Sequence, residues 1–320
     1  MKRKWIRRVS WILLTPVLLF VILMILLYIP PVQNLLRREV TAYASKATGM
    51  QIQVERIDLR FPLNLLVRGV EVIQQPDTLL SLESLNVRVQ AWPLVKGKVE
   101  VDEVTLSQVA FNSANLIEGM KIKGVLGRFF LQSHGVDLSN ELAVINQTEL
   151  SDTHVQMLMN DTTTTPKDTT ASAPVNWKVD LHKLKLKNVS FSMQLPADSM
   201  RMAAHIGEAF INDAQADLKN QFYELKQFLL SGSSANYDTG AAKPGEGFDA
   251  SHIAVRDIRI GLDSLLYKGR DMNAVIREFS MNERSGLSIT SLTGRAFSND
   301  SIIRIPGIKL QTPHSEIDLS

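Results

Sequence analysis

The 320-residue chain contains no cysteine. That absence excludes disulfide frameworks, thiolate zinc sites and thiol redox chemistry. The marks of catalysis are missing as well. There is no GxSxG elbow, no P-loop and no GxGxxG fingerprint, and the six histidines (134, 154, 182, 205, 252 and 314) form no HExxH or other ligand spacing. "GVLGRF" from Gly124 lacks the lysine and Ser/Thr of a phosphate cradle, and "DLSNE" and "NDSI" lack the ligand set of a calcium loop. The sequence reads as that of a non-enzyme needing no metal and no cofactor. An excess of charge is lacking too. Five of the 35 Lys and Arg precede residue 11, leaving 30 against 33 acidic residues for the rest. No basic face is implied, which argues against a nucleic-acid partner.

What is present begins with a long apolar run, "WILLTPVLLFVILMILLYI", residues 11–29. Its 19 uncharged residues would span about 28 Å as a helix, close to the hydrocarbon core of a bilayer. Lys2, Arg3, Lys4, Arg7 and Arg8 precede the run, whereas only Arg37 and Arg38 follow closely. The positive-inside rule then makes 1–10 a cytoplasmic tail and 11–29 a single-pass anchor, with the remainder across the membrane. "YIPPVQN" offers no small-x-small cleavage site, so the anchor is expected to stay in place. Residues 30–49 read as a juxtamembrane amphipathic helix, with Val32, Leu35, Leu36, Val40, Tyr43 and Ala47 at helical spacing and Gly49 as its C-cap. Such a helix could cover the end of the domain or lie on the bilayer.

From Met50 the rhythm changes. With Φ for an apolar residue, Φ-x-Φ-x-x-Φ-x-Φ fits at Ile52, Leu65, Leu80, Val99, Val179, Tyr223, Ile253 and Ile303, and more weakly at Ala209. One longer repeat stands out: "KVEVDEVTLSQVAF" from Lys98 and "KVDLHKLKLKNVSF" from Lys178 match at six apolar positions while their polar residues differ. On a helix these positions scatter around the axis. On a strand the first two share a face, and one extra residue in the x-x gap, a β-bulge, returns the next two to it. The expected fold is therefore mainly β, an open, coiled antiparallel sheet forming an apolar groove. Its expected lining is Ile52, Val54, Ile57 and Leu59; Val99, Val101, Val104 and Leu106; Val179, Leu181, Leu184 and Leu186; and Ile253, Val255, Ile258 and Ile260. The groove is divided into 50–158 and 177–320 by a Thr/Pro-rich tract over 159–176, which reads as a disordered linker whose shortening should be neutral. "SGSSANYDTGAAKPGEGFDAS" from Ser231 reads as a loop, and "DLKNQFYELKQFLL" as a hairpin or, alternatively, a helix. The last strand stops in mid-pattern, so a longer repeat is expected beyond it.

The "TG" at Thr48, the "RGVEV" strand, and above all "WPLVKGKVEVDEVTL", with Pro93 and Gly97 ahead of a V-x-V-x-x-V-x-L strand, resemble the opening of the AsmA-like superfamily. Within it, residues 48–111 are most similar to the N-terminal part of TamB-type (translocation and assembly module) inner-membrane proteins. The Thr-rich tract and the lack of the family's C-terminal domain depart from that pattern. The resemblance implies an inner-membrane protein whose β-rich body crosses the periplasm in support of outer-membrane biogenesis. Its implied ligands are phospholipid acyl chains, and its implied partner is an outer-membrane β-barrel. Two functions follow: a conduit for phospholipid between the membranes, or a scaffold for assembly or secretion of barrel proteins by strand addition.

Overall fold

The computed structural model describes residues 28–60, 63–90, 92–93, 100–137, 141–160, 176–240, 243 and 245–319. The five basic residues of the tail, most of the apolar run, Val99 and residues 161–175 of the Thr-rich tract lie outside them. Among the described residues, no helix is long and apolar enough to cross a membrane.

The chain enters through helix α1 (Pro30–Thr48). Pro30 suits the first helical turn, where its missing N–H costs nothing. Gly49 ends the helix in the left-handed region (φ 69°), its N–H donating to the Ser45 carbonyl. Among the described residues sixteen strands follow, all in one open sheet that does not close into a barrel. They are β1 (Gln51–Arg60), β2 (Asn64–Gln74), β3 (Asp77–Val89), β4 (Val101–Asn112), β5 (Met120–Asp137), β6 (Leu142–Met159), β7 (Lys178–Leu195) and β8 (Met200–Asp217). After them come β9 (Phe222–Asp238), β10 (His252–Lys268), β11 (Asp271–Glu283), β12 (Ser288–Ile289), β13 (Ser291–Ser298), β14 (Ile303–Arg304), β15 (Ile308–Gln311) and β16 (Glu316–Leu319). Each strand lies beside its predecessor, except that β13 pairs with β11, leaving β12 as a short branch on β11, and β15 pairs with β13, leaving β14 as a branch on β13.

Packing is one layer thick. Among the described residues no large side chain is fully buried, and α1 packs against the edge strand β1 rather than over a face. One row of α1, spaced four residues apart, serves the open edge of β1. Gln33 Nε2 donates to the Leu59 carbonyl (3.0 Å), Arg37 Nη1 to the Val54 carbonyl (3.0 Å), and Ser45 Oγ accepts the Ile52 N–H (3.1 Å). An edge strand whose polar backbone is occupied in this way no longer offers a template for another chain.

Three expectations need correcting. The sheet is not wholly antiparallel, since β6 and β7 run parallel from Leu142↔Lys178 to Leu158↔Gln194. A parallel pair needs a connection of a dozen residues or more, and the Thr-rich tract supplies it. Secondly, Ser231–Asp238 belongs to β9 rather than to a loop. Its small residues pair on both sides, Ala235 with Ala204 and with Val255, and pairing along two edges overrides weak strand propensity. The loop proper starts at Thr239. The segment around Lys219 is the β8–β9 hairpin, in which the Asp217 carboxylate accepts the N–H of Asn220 (3.0 Å).

The third correction concerns the neutrality of shortening the tract. The connection between β6 and β7 must return along the paired stretch from Leu158 to Leu142, on the order of 50 Å. The 18 residues between Met159 and Lys178 reach about 65 Å when fully extended. Deleting 162–172 leaves seven, which reach under about 30 Å. That deletion is expected to break the β6–β7 pair, whereas a Gly/Ser replacement of equal length should preserve it. Limited proteolysis and β-sheet circular dichroism of both variants distinguish a requirement for length from indifference to it.

Candidate functional site

Residues directly opposite each other on neighbouring strands share a face of the sheet, so the register can be followed from strand to strand. One row runs Ile57, Val67, Leu85, Leu106, Phe129, Leu150, Leu186, Ala209, Leu230, Ile260 and Phe279. It crosses β1 to β11 without a polar residue. A second row starts at Leu59 and passes Leu65, Val87, Val104, Leu131, Thr148, Leu184, Ile211, Phe228 and Leu262 to Ile276. A third starts at Val54, and includes Val70, Leu82, Val109, Leu126, Thr153, Val189 and Ile206. A fourth leads from Ile52 through Val72, Leu80, Phe111, Gly124, Val155 and Phe191 to Val255.

Apart from Val99, which lies outside the described residues, the expected lining residues occupy these rows or their continuation. Val101 lies opposite Val89, Val179 between Ala143 and Ala216, and Leu181 between Ile145 and Ala214. Ile253 faces Tyr237, and Ile258 faces Ser233. All of those described except Ile57, which is buried, are half-buried. The two copies of the long repeat fall into register. Val104 and Leu184, Leu106 and Leu186, Val109 and Val189, and Phe111 and Phe191 occupy the same four rows, three strands apart.

Two of the x-x gaps, Asp102–Glu103 in β4 and Arg256–Asp257 in β10, are bulges as expected, with two residues opposite one of the neighbouring strand, but most of the gaps are not. A bulge sets two residues of one strand against one of its neighbour. At most of them adjacent strands carry the extra residue at the same level, so their register stays in step: Val54↔Val70 and Arg56↔Arg68 flank Glu55 and Gly69. The extra residue is left-handed at Gly69, Gln108, Asp152, Asn188, Gly232 and Asp257 (φ 49–60°). Five of these six, all but Gln108, are Gly, Asp or Asn, types that tolerate this conformation best. The line therefore crosses β2 to β9, and in β10 the left-handed residue, Asp257, sits on the other side of Ile258, where the register shifts. A second line passes through Asp213 (φ 50°), where His182 Nδ1 lies 3.1 Å from the Asp213 carboxylate and both side chains are exposed.

Where strands meet along the first line, backbones come close. A Cβ on Gly207 would stand 2.6 Å from the Gly232 carbonyl oxygen, and one on Gly127 2.9 Å from that of Asp152. Polar groups within the apolar rows are satisfied locally. The Thr148 hydroxyl donates to the Phe130 carbonyl and that of Thr153 to the Ser151 carbonyl, both at 3.1 Å. At the far end of the fourth row, Glu283 faces Val255. The Ser285 hydroxyl, followed by the Ser285 N–H, holds its carboxyl below the usual glutamate value.

The reverse side is mixed. Thr105 lies between Asn86 and Phe130, and Glu149 and Lys185 continue the row before Phe210 and Leu229. No cluster of three His, Asp or Glu side chains able to hold a metal occurs among the described residues.

Strands β5 and β6 contribute Phe129, Leu131, Leu150 and Val155 to the rows, yet neither was flagged by the apolar spacing. Thr148 and Thr153 stand where the template asks for an apolar residue, and their methyl groups serve once the hydroxyls are bonded to backbone. Gly124 fails the template because the Phe111 ring takes the space of its side chain, with Cζ 2.5 Å from where a Cβ would be. Counting threonine as apolar in this rhythm would have found β6.

The chain matches no protein-family model and no curated protein.

Gly207→Ala is expected to cost about 1–3 kcal/mol through overpacking against the β9 backbone. Gly245→Ala, whose nearest neighbour would be a side-chain oxygen at 3.9 Å, should change stability by less than about 0.5 kcal/mol. Thermal unfolding of the two variants tests whether close strand approach at this line is a structural requirement.

Proposed function

We propose that this protein is a membrane-anchored periplasmic β-groove that conducts phospholipid between the inner and outer membranes in support of outer-membrane biogenesis. Residues 11–29 are its inner-membrane anchor, with the N-terminus in the cytoplasm. The sheet coils about its apolar face to form the groove, and an outer-membrane β-barrel is its partner at the far end. The observation that carries this reading is the unbroken apolar row from Ile57 to Phe279. Its ten steps at about 4.8 Å each give roughly 48 Å of continuous apolar contour, more than the ~30 Å hydrocarbon core of a bilayer.

Acyl chains require apolar surface and no particular partner, which agrees with a repeat that keeps its apolar positions while its polar residues drift. Left-handed residues recur in strand after strand, local departures from a flat strand of the kind that a trough needs. Water alone is a poor cover for so large an apolar face. No catalytic step is required. A scaffold that adds barrel strands to a bare sheet edge is the competing function, and at β1 that edge is occupied by the polar row of α1.

A pair of substitutions in β4 tests the conduit. Leu106 lies in the long row between Leu85 and Phe129, whereas Thr105 lies on the reverse side. Leu106→Glu is expected to lower co-purifying phospholipid several-fold while the protein keeps its level in the membrane and its protease resistance. Thr105→Glu is expected to change neither. If Leu106→Glu unfolds the protein, the apolar face behaves as a closed core, since an unpaired carboxylate in such a core is severely destabilising. Unchanged lipid content in Leu106→Glu would refute the groove.

A further inference from the structure

Helix α1 is amphipathic in an unusual sense, because its polar row faces the protein. Gln33, Arg37 and Ser45 are taken up by the edge of β1, and Thr41 falls in the same four-residue row. The apolar residues point elsewhere: Leu35 is 59% exposed, Val40 46% and Tyr43 77%, and no residue of the helix is buried. A helix that merely closed the end of a domain would turn its apolar side inward.

We infer that the outward apolar face of α1 rests in the interfacial layer of the bilayer, and that this contact sets the orientation of the whole sheet. The inference rests on the reading of residues 11–29 as a membrane anchor. The occupant follows from the sequence: Pro30, the first residue of α1, directly follows that apolar run, so the helix starts where the anchor leaves the hydrocarbon. Leu35, Leu36 and Val40 supply the apolar insertion, and Tyr43 is suited to the headgroup boundary.

The geometry of the contact has a consequence for the groove. Gln33 reaches Leu59 and Ser45 reaches Ile52, so α1 lies antiparallel alongside β1, in the place of a strand preceding it. With α1 flat on the membrane and its apolar side turned away from β1, the strands run roughly parallel to the membrane plane. Successive strands then stack away from it. The apolar rows lead outward from the bilayer, and their near ends are Ile52, Val54, Ile57 and Leu59 of β1. A lipid chain leaving the membrane beside α1 would meet these four residues first.

The absence of cysteine makes the test direct. The full chain is reconstituted in phosphatidylethanolamine–phosphatidylglycerol vesicles as single-cysteine variants labelled with an environment-sensitive fluorophore. Phe20→Cys reports on the anchor, Leu35→Cys and Tyr43→Cys on the outer face of α1, and Glu118→Cys on the β4–β5 turn. At positions 35 and 43 we expect blue-shifted emission and at least twofold quenching by lipids spin-labelled near the headgroup, with neither effect at 118. Position 20 should be quenched by labels deep in the chains. Quenching at 20 but water-like emission at 35 and 43 overturns the docking of α1 and leaves the anchor standing. Blue-shifted emission at 43 without lipid quenching means that protein, such as a second copy, covers the face, and also overturns it. Absence of quenching at 20 overturns the anchor and the docking together.

Discussion

Everything in this structure depends on strands being paired on both sides, because among the described residues no second layer covers the sheet. In a sandwich or an α/β protein the apolar face of a sheet is buried by another element, and that burial supplies most of the stability. Here each side chain is covered by its neighbours in the same row and in the rows beside it, so half-burial is the general condition. The backbone ladder is shielded only where another strand lies alongside. The first edge is therefore the weak point of the design, and α1 meets it with side-chain donors and acceptors rather than with apolar packing. The outward apolar surface of α1 is the consequence of having spent its polar face on the edge.

The same dependence explains why one spacing recurs in strand after strand. An extra residue in a single strand would shift its register by one, and a shift of one turns every following side chain to the opposite face. When each neighbour carries the extra residue at the same level, the faces are restored on both sides of the line and the ladder continues. The left-handed residues and the close-approach glycines are two halves of that arrangement. Asp152 turns the chain of β6, and Gly127 leaves room for it in β5; Gly232 and Gly207 stand in the same relation in β9 and β8. A side chain on Gly127 or Gly207 would run into the backbone of the facing strand and force the two apart.

Much of this was legible in the sequence, and the reasons for the misses are specific. The apolar positions of β1, β4, β7 and β10 were readable because a two-residue period marks a face whatever the strand pairs with. The extra residue was readable as a gap, but not its synchrony, which is a property of neighbours rather than of one strand. The identities inside the gaps carried part of it: Gly69, Asp152, Asn188, Gly232 and Asp257 are the residue types for a left-handed turn of the chain. β6 was hidden by threonines, β5 by a glycine whose space the Phe111 ring fills, and the second half of β9 by a composition that suits loops. The outward face of α1 could not be read from its periodicity, since the helical period states that two faces differ but not which one meets the protein.

The parallel pair was hidden for a deeper reason. In the long repeat the apolar positions are separated by two, three, two, three and two residues, a series that reads the same in either direction. A strand with this spacing fills the rows equally well whether it runs up or down the sheet. The pattern that determines the face is thus silent about direction, and strand direction is left to the connections. Short turns impose reversal on their neighbours, while the long tract between β6 and β7 permits the chain to return and lie parallel. From β4 to β7 there are three steps, and three reversals would set the two copies of the repeat head to tail. The single parallel step brings them back to the same direction, which is why Leu106 and Leu186 share a row and so do the residues that flank them in order. A chain built on such a spacing can lengthen by either kind of connection without disturbing its apolar face.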